Sequence, residues 1–182
     1  MDNPDHIHFS TIPWCANHLQ GNRIITGTPS SRALKPIEED SLFADTLKSE
    51  RTIVQMLHVY EEPISPVERV DEVKAFLTLG SGLNGHPNVC HGGLVTTILD
   101  EAIGLLLPIN MERQAIPVGS YMTAYLNTSF VKPVPTPTTI LARACFTKVE
   151  GRKYFTQGTI EDKDGVVLAR ADALYVQLKS SL

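Results

Sequence analysis

From residue 70 onward the apolar positions fall into regular patterns. Val73, Ala75, Leu77 and Leu79 alternate with Lys74, Phe76 and Thr78, a period of two that predicts a strand. Gly80 to Val89 holds three glycines, two asparagines and a proline, which is loop chemistry. A largely apolar run of helical length follows from Gly92 to Leu107, and Pro108 is expected to halt it. A helix that is apolar nearly all round must be buried on most sides. Four strand candidates come next, at about residues 118–130, 137–149, 152–162 and 165–178. Turn-forming stretches separate them: Pro133-Val-Pro-Thr-Pro, Glu150-Gly151 and Asp162-Lys-Asp-Gly, where Gly165 supplies the positive φ. The order is a strand, a buried helix and an antiparallel meander. One central helix wrapped by a curved sheet satisfies it, an α+β architecture.

The first third of the chain lacks such regularity. Pro4, Pro13, Pro29 and Pro36 interrupt residues 1–38, and no period of 2 or 3.6 persists, so this segment is expected to be an extended arm. Ile12, Trp14 and Leu19 are the residues able to pin it to the main body. Asp40-Ser41 offers helix-starting chemistry before Leu42, Phe43 and Leu47. Thr52 to Tyr60 is apolar and β-branched, and fits a short strand or a second helix equally. The expected organisation is an N-terminal extension with a short helix over residues 1–69 and a core domain over 70–182.

Composition narrows the function classes. At 182 residues the chain has the size of one domain, and about 70% of its unfolded surface can be buried, enough for a core without staples. The net charge of −4 argues against a nucleic-acid binder. Residues 1–80 carry 7 Lys/Arg against 12 Asp/Glu, and residues 81–182 carry 9 against 8, so the second half better suits an anionic ligand. Cys15, Cys90 and Cys145 are sparse, odd in number and without a CxxC pair, as expected of reduced structural thiols. No apolar run is expected to reach the roughly 18–20 residues that span a bilayer. The acidic start lacks a signal-peptide core, so the expected location is cytoplasmic, without stable membrane insertion.

The chemistry concentrates in His91-Gly92-Gly93 and Asp100. Glycines at a helix start allow close approach of a ligand. The first-turn N–H groups have no intrahelical acceptor and point outward at the positive end of the dipole, where a developing oxyanion could be held. Asp100 shares a helix face with Gly93, Thr96, Thr97 and Gly104. A carboxylate inside an apolar helix must either bond to neighbouring hydroxyls or face a polar cavity. Glu101 points about 100° away and is the lesser candidate. Gly92 and Asp100 are eight residues apart, about 12 Å along the axis, so one carbonyl cannot touch both within a single chain. Two such helices packed antiparallel across a two-fold would bring them together. A Cys90–His91 nucleophile pair is disfavoured because adjacent extended residues point apart, and His86, Cys90 and His91 lack the spacing of a zinc site.

The run H-G-G-x6-D on a buried helix between strands resembles the hotdog-fold acyl-CoA thioesterases of the 4-hydroxybenzoyl-CoA and phenylacetate-pathway type. Two further blocks, Met122-Thr-Ala-Tyr-Leu-Asn-Thr-Ser-Phe-Val-Lys-Pro-Val-Pro and Lys148-Val-Glu-Gly-Arg-Lys-Tyr-Phe, are similar to mammalian members that hydrolyse long-chain acyl-CoA. The resemblance covers about residues 70–178 and implies a hydrolase of lipid metabolism acting on acyl-CoA, as a homodimer or dimer of dimers, with no cofactor and no metal. It implies that Asp100 is general base or nucleophile, that Thr123 orients water, that the Gly92 amide polarises the thioester carbonyl, and that His91 fixes the preceding loop. Arg152, Lys153 and Tyr154 match positions contacting coenzyme A, with Gly93, Ser129 and Lys132 in related binding duty. Many relatives carry an oxyanion-assisting Asn six residues before the His, where this chain has Gly85, with Asn84 and Asn88 nearby. Residues 1–69 have no counterpart in the minimal family and are expected to cap the acyl tunnel or mask an edge strand. The alternative implied function is a non-catalytic acyl-CoA-binding hotdog protein, a sensor or scaffold, which need not keep both Asp100 and Thr123.

Overall fold

The computed structural model describes residues 3–65 and 67–179. Two short helices, α1 (Pro4–Ser10) and α2 (Pro13–Ala16), open the chain and lead to strand β1 (Ile24–Gly27). A 3-10 turn (Ser30–Arg32) and a π-helical turn (Leu42–Thr46) precede β2 (Ile53–Glu61) and β3 (Glu72–Leu79). A small hairpin of β4 (Asn84–His86) and β5 (Val89–Cys90) then delivers the chain to α3 (Gly92–Gly104) and α4 (Leu106–Glu112). The last four strands are β6 (Tyr121–Phe130), β7 (Thr138–Glu150), β8 (Lys153–Glu161) and β9 (Val167–Gln177).

Seven strands form one antiparallel sheet in the order β1-β2-β3-β7-β8-β9-β6. Its inner face wraps α3, which buries Val95, Ile98, Leu99, Ala102 and Ile103 against it. The period-two reading of β3 holds: Val73, Ala75, Leu77 and Leu79 are all buried on the helix side. Burying each valine or leucine of this set stabilises the fold by about 1.5–3 kcal/mol. The last three strands form the expected meander, whereas β6 crosses over to pair with β9 instead of β7, so it becomes the outer edge.

The outer face of the sheet carries a second apolar cluster of Phe9, Cys15, Leu57, Val59, Phe76 and Leu141, with Ile12, Trp14 and Leu19 packed on it. Phe76, in the polar phase of the β3 alternation, is fully buried here, with its ring 5.4 Å from Trp14 and 5.7 Å from Phe9. The three residues expected to pin the arm do so. The arm is nonetheless not extended. Pro4 and Pro13 stand at helix starts, where the missing N–H would have had no partner, and the Asn3 side chain accepts from the Asp5 amide at 2.9 Å.

Other expectations change for similar local reasons. Thr52–Tyr60 is resolved in favour of a strand. The boundary drawn at residue 70 falls between β2 and β3, which are hydrogen-bonded neighbours, so β1 and β2 of the expected extension are strands of the same sheet. Pro108 does not stop the helix: α3 ends at Gly104 and Pro108 sits in the first turn of α4, where a proline removes no intrahelical bond. The helical stretch Gly92–Glu112 is 21 residues and, by length and composition, apolar enough to cross a membrane, contrary to the sequence expectation; α3 serves in this fold as the core helix.

Candidate active site

The start of α3 is built around His91. Its backbone is extended (φ −61°, ψ 133°) and its Nδ1 accepts a hydrogen bond from the Gly93 amide at 3.0 Å, which makes it the helix N-cap. The β4–β5 hairpin lies directly against it. A Cβ on Gly85 would stand 2.9 Å from the His91 Cα, so this position tolerates only glycine. Both neighbouring asparagines serve the hairpin. The Asn84 carboxamide oxygen accepts from the Thr136 hydroxyl, and Asn88 adopts φ 59° while its carbonyl accepts from the Thr136 amide at 3.0 Å. Gly92 opens onto an apolar hollow of about 320 Å³, lined with Val95, Phe130, Lys132 and Val134.

Asp100 lies near the other end of the helix, beside a separate cavity of about 460 Å³. The Thr123 hydroxyl donates to Asp100 Oδ1 at 3.3 Å, and the Tyr175 hydroxyl lies 3.1 Å from the same oxygen and 3.0 Å from the Asp100 carbonyl. Two hydroxyls therefore converge on one carboxylate oxygen, and no hydrogen bond from the described residues engages the other. Burial, then the nearby Asp100 charge, pushes the Tyr175 phenol well above its ordinary range, so it stays a donor. Glu101, next along the helix, accepts from the Ser31 hydroxyl. Its carboxyl is raised chiefly by burial, with the Ser31 hydrogen bond opposing and the Asp40 and Asp100 charges adding to the rise. Ser31 is held in place by buried Arg32, whose guanidinium donates to the carbonyls of Phe43 (3.0 Å), Leu47 (3.1 Å) and Ile53 (2.8 Å).

The residues expected from the sequence thus fall into three groups. Asp100 and Thr123 meet at one end of α3. His91, Gly92, Gly93 and Lys132 gather at its start, with Ser129 exposed one residue before the end of β6. Arg152 and Lys153 are exposed at the β7–β8 turn, Arg152 donating to the Gln177 carbonyl at 2.9 Å. Tyr154 does not join them: its ring is buried, 5.2 Å from Tyr121 and 6.0 Å from Phe146, and its place is in the core. Tyr175 was missed. Its signal is on β9, where the inward positions Ala169, Ala171 and Ala173 are small and then one large hydroxylated residue faces Asp100. Among the described residues, no group of three or more His, Cys, Asp or Glu is placed to hold a metal ion. Burial pushes the Cys90 thiol up to about 11, which makes it a poor nucleophile.

The likenesses of the chain agree with this geometry. Residues 87–169 match the Thioesterase superfamily model. The acyl-coenzyme A thioesterase THEM4 of Rattus norvegicus is 35% identical over 100 residues, 54% of this chain and 40% of the relative. Verlamelin biosynthesis protein B of Lecanicillium sp. is 29% identical over 93% of this chain and 86% of its own length. A crystal structure of a thioesterase superfamily protein superposes with a TM-score of 0.54 at 26% identity, covering 68% of this chain and 54% of that one. The fold is therefore the hotdog fold, and residues 87–169 are similar to the thioesterase superfamily. It spans less than half the length of the rat thioesterase that it matches.

Proposed function

We propose that this chain is an acyl-CoA thioesterase that hydrolyses its substrate at a site shared between two copies. The observation that carries the reading is the Asp100 carboxylate beside a cavity, with one oxygen held by Thr123 and Tyr175 and the other without a hydrogen bond from the described residues. That second oxygen takes a proton from water as the water oxygen bonds to the thioester carbon. The carbonyl becomes an oxyanion, which the Gly92 amide of the partner subunit receives at the positive end of its helix. Collapse restores the carbonyl, breaks the carbon–sulfur bond and releases coenzyme A as thiolate, which takes the proton that Asp100 gained and so regenerates the carboxylate. The thiolate is a good leaving group, so the step is written without metal or cofactor.

Two features support the shared site. The Gly92 amide and Asp100 open into different hollows, about 12 Å apart along α3 at its rise per residue, as a half-site at each end would require. β6 is also a ten-residue edge strand with exposed Met122, Tyr125 and Phe130, and an exposed apolar edge of that length is a pairing surface. Pairing through a two-fold makes an isologous dimer. Exposed Arg152 and Lys153 suit the phosphates of coenzyme A.

The test is thiol release from a panel of acyl-CoAs by wild type and Asp100→Asn, with the mass in solution measured alongside. Turnover lost in the variant supports the reading. Saturable acyl-CoA binding without turnover in either protein would favour the binding-module alternative.

A further inference from the structure

We infer that the acyl group accepted beside Asp100 carries a hydrogen-bonding substituent, a hydroxyl or oxo group, and is not a plain alkyl chain. The inference rests on the thioesterase reading and concerns the other wall of the same cavity. One side of that cavity is apolar, formed where α3 meets α4 by Leu105, Leu107, Pro108 and Met111. The segment between β1 and β2 lines the same cavity with polar residues, Ser30, Ser31, Lys35, Glu39 and Asp40, and α3 adds Glu101.

This polar wall is built and held. Arg32 fixes the segment through three main-chain carbonyls, Ser31 reaches Glu101 across the cavity rim, and Lys35 is paired with Asp40. Arg32 and Ser31 are both buried, so the wall is part of the packed fold. Of the Glu101 carboxyl, one oxygen is engaged by Ser31, and no hydrogen bond from the described residues engages the other. A simple alkyl chain lying in this space would strip water from the serine hydroxyls and the carboxyl without replacing those bonds. An acyl chain with a hydroxyl or oxo group replaces one of them while its methylenes lie on the leucine side. Sites that hydrogen-bond a substrate hydroxyl reject the analogue lacking it far more strongly than apolar pockets separate chain lengths.

The experiment compares kcat/KM for decanoyl-CoA and a series of monohydroxydecanoyl-CoA isomers, in wild type, Glu101→Leu and Ser31→Ala. Wild type is expected to prefer the best hydroxylated isomer by about tenfold or more. Glu101→Leu is expected to bring that ratio towards one, because the polar partner is replaced by a methyl surface. Ser31→Ala tests the same wall should Glu101→Leu fail to fold, and is also expected to lower the ratio. A role in folding alone would reduce turnover of all substrates together and leave the ratio in place. Equal or better turnover of decanoyl-CoA by wild type overturns the inference while leaving the thioesterase reading intact. An unchanged ratio in folded Glu101→Leu and Ser31→Ala overturns it too. Wild type that turns over no acyl-CoA removes both readings.

Discussion

Removing the Tyr175 hydroxyl tests the carboxylate arrangement most directly. Tyr175→Phe keeps the ring that is packed on the inner face of β9 and deletes only the oxygen lying 3.1 Å from Asp100 Oδ1 and 3.0 Å from its carbonyl. A hydrogen bond from a neutral donor to a charged acceptor contributes about 1.5–3 kcal/mol net. If that interaction orients the catalytic oxygen, its loss lowers kcat by about 10- to 100-fold, since about 1.4 kcal/mol is a factor of ten. KM should change little, because the substitution removes one hydroxyl of a buried side chain and leaves its ring in place. The assay is steady-state thiol release for wild type, Tyr175→Phe, Asp100→Asn and the double variant, with thermal unfolding as a check of the fold. In the Asp100→Asn background the Tyr175 change should have little further effect, as expected when two groups act as a unit. Wild-type kcat in folded Tyr175→Phe would refute the reasoning, and so would equal losses in both backgrounds.

The other predictions follow from separate parts of the fold. Asp100→Asn should fold normally and lose about 100-fold or more in turnover, the lower end of general-base contributions, read in the same assay. Gly85→Ala should disturb the His91 cap, because its Cβ meets the His91 Cα at 2.9 Å; lowered Tm with lowered activity is expected, and an unchanged Tm would contradict the contact. Phe76→Ala should cost about 3–5 kcal/mol in denaturant unfolding, since the ring is fully buried between sheet and arm. His58 gives a pH dependence. Burial lowers its pKa to about 4 against an ordinary value near 6.5. The unfolded chain therefore binds the extra proton first, and stability should fall as pH drops from about 6.5 towards 4, by up to about 3 kcal/mol. His58→Leu should flatten that slope in urea titrations, and an identical slope would exclude His58 as its source.

The sequence was legible wherever one face of an element decides its fate. The β3 alternation, the apolar helix and the turns around Gly151 and Gly165 are local consequences of burial period and backbone freedom, and they appear as read. Prolines misled. Pro4, Pro13 and Pro108 sit in first turns, where a proline is harmless, and composition alone does not distinguish a first turn from an interior position. Strand order was not legible, because β6 and β7 are consecutive in sequence yet separated in the sheet by β8 and β9.

The same division explains the site. Asp100 was conspicuous because a carboxylate in an apolar helix needs an explanation within the helix itself. Tyr175 and Ser31 were not, since each is ordinary in its own segment and gains meaning only from a partner 75 or 70 residues distant in the chain. Tyr154 shows the converse. Its position matched a binding motif, but the period of β8 turns it inward, between buried Thr156 and the aromatic rings of Tyr121 and Phe146. Motif spacing fixes which residues are near one another along a strand, while the phase of the strand decides which of them can reach a ligand. In this fold Arg152 and Lys153 stand exposed at the turn, and the tyrosine beside them is buried in the core.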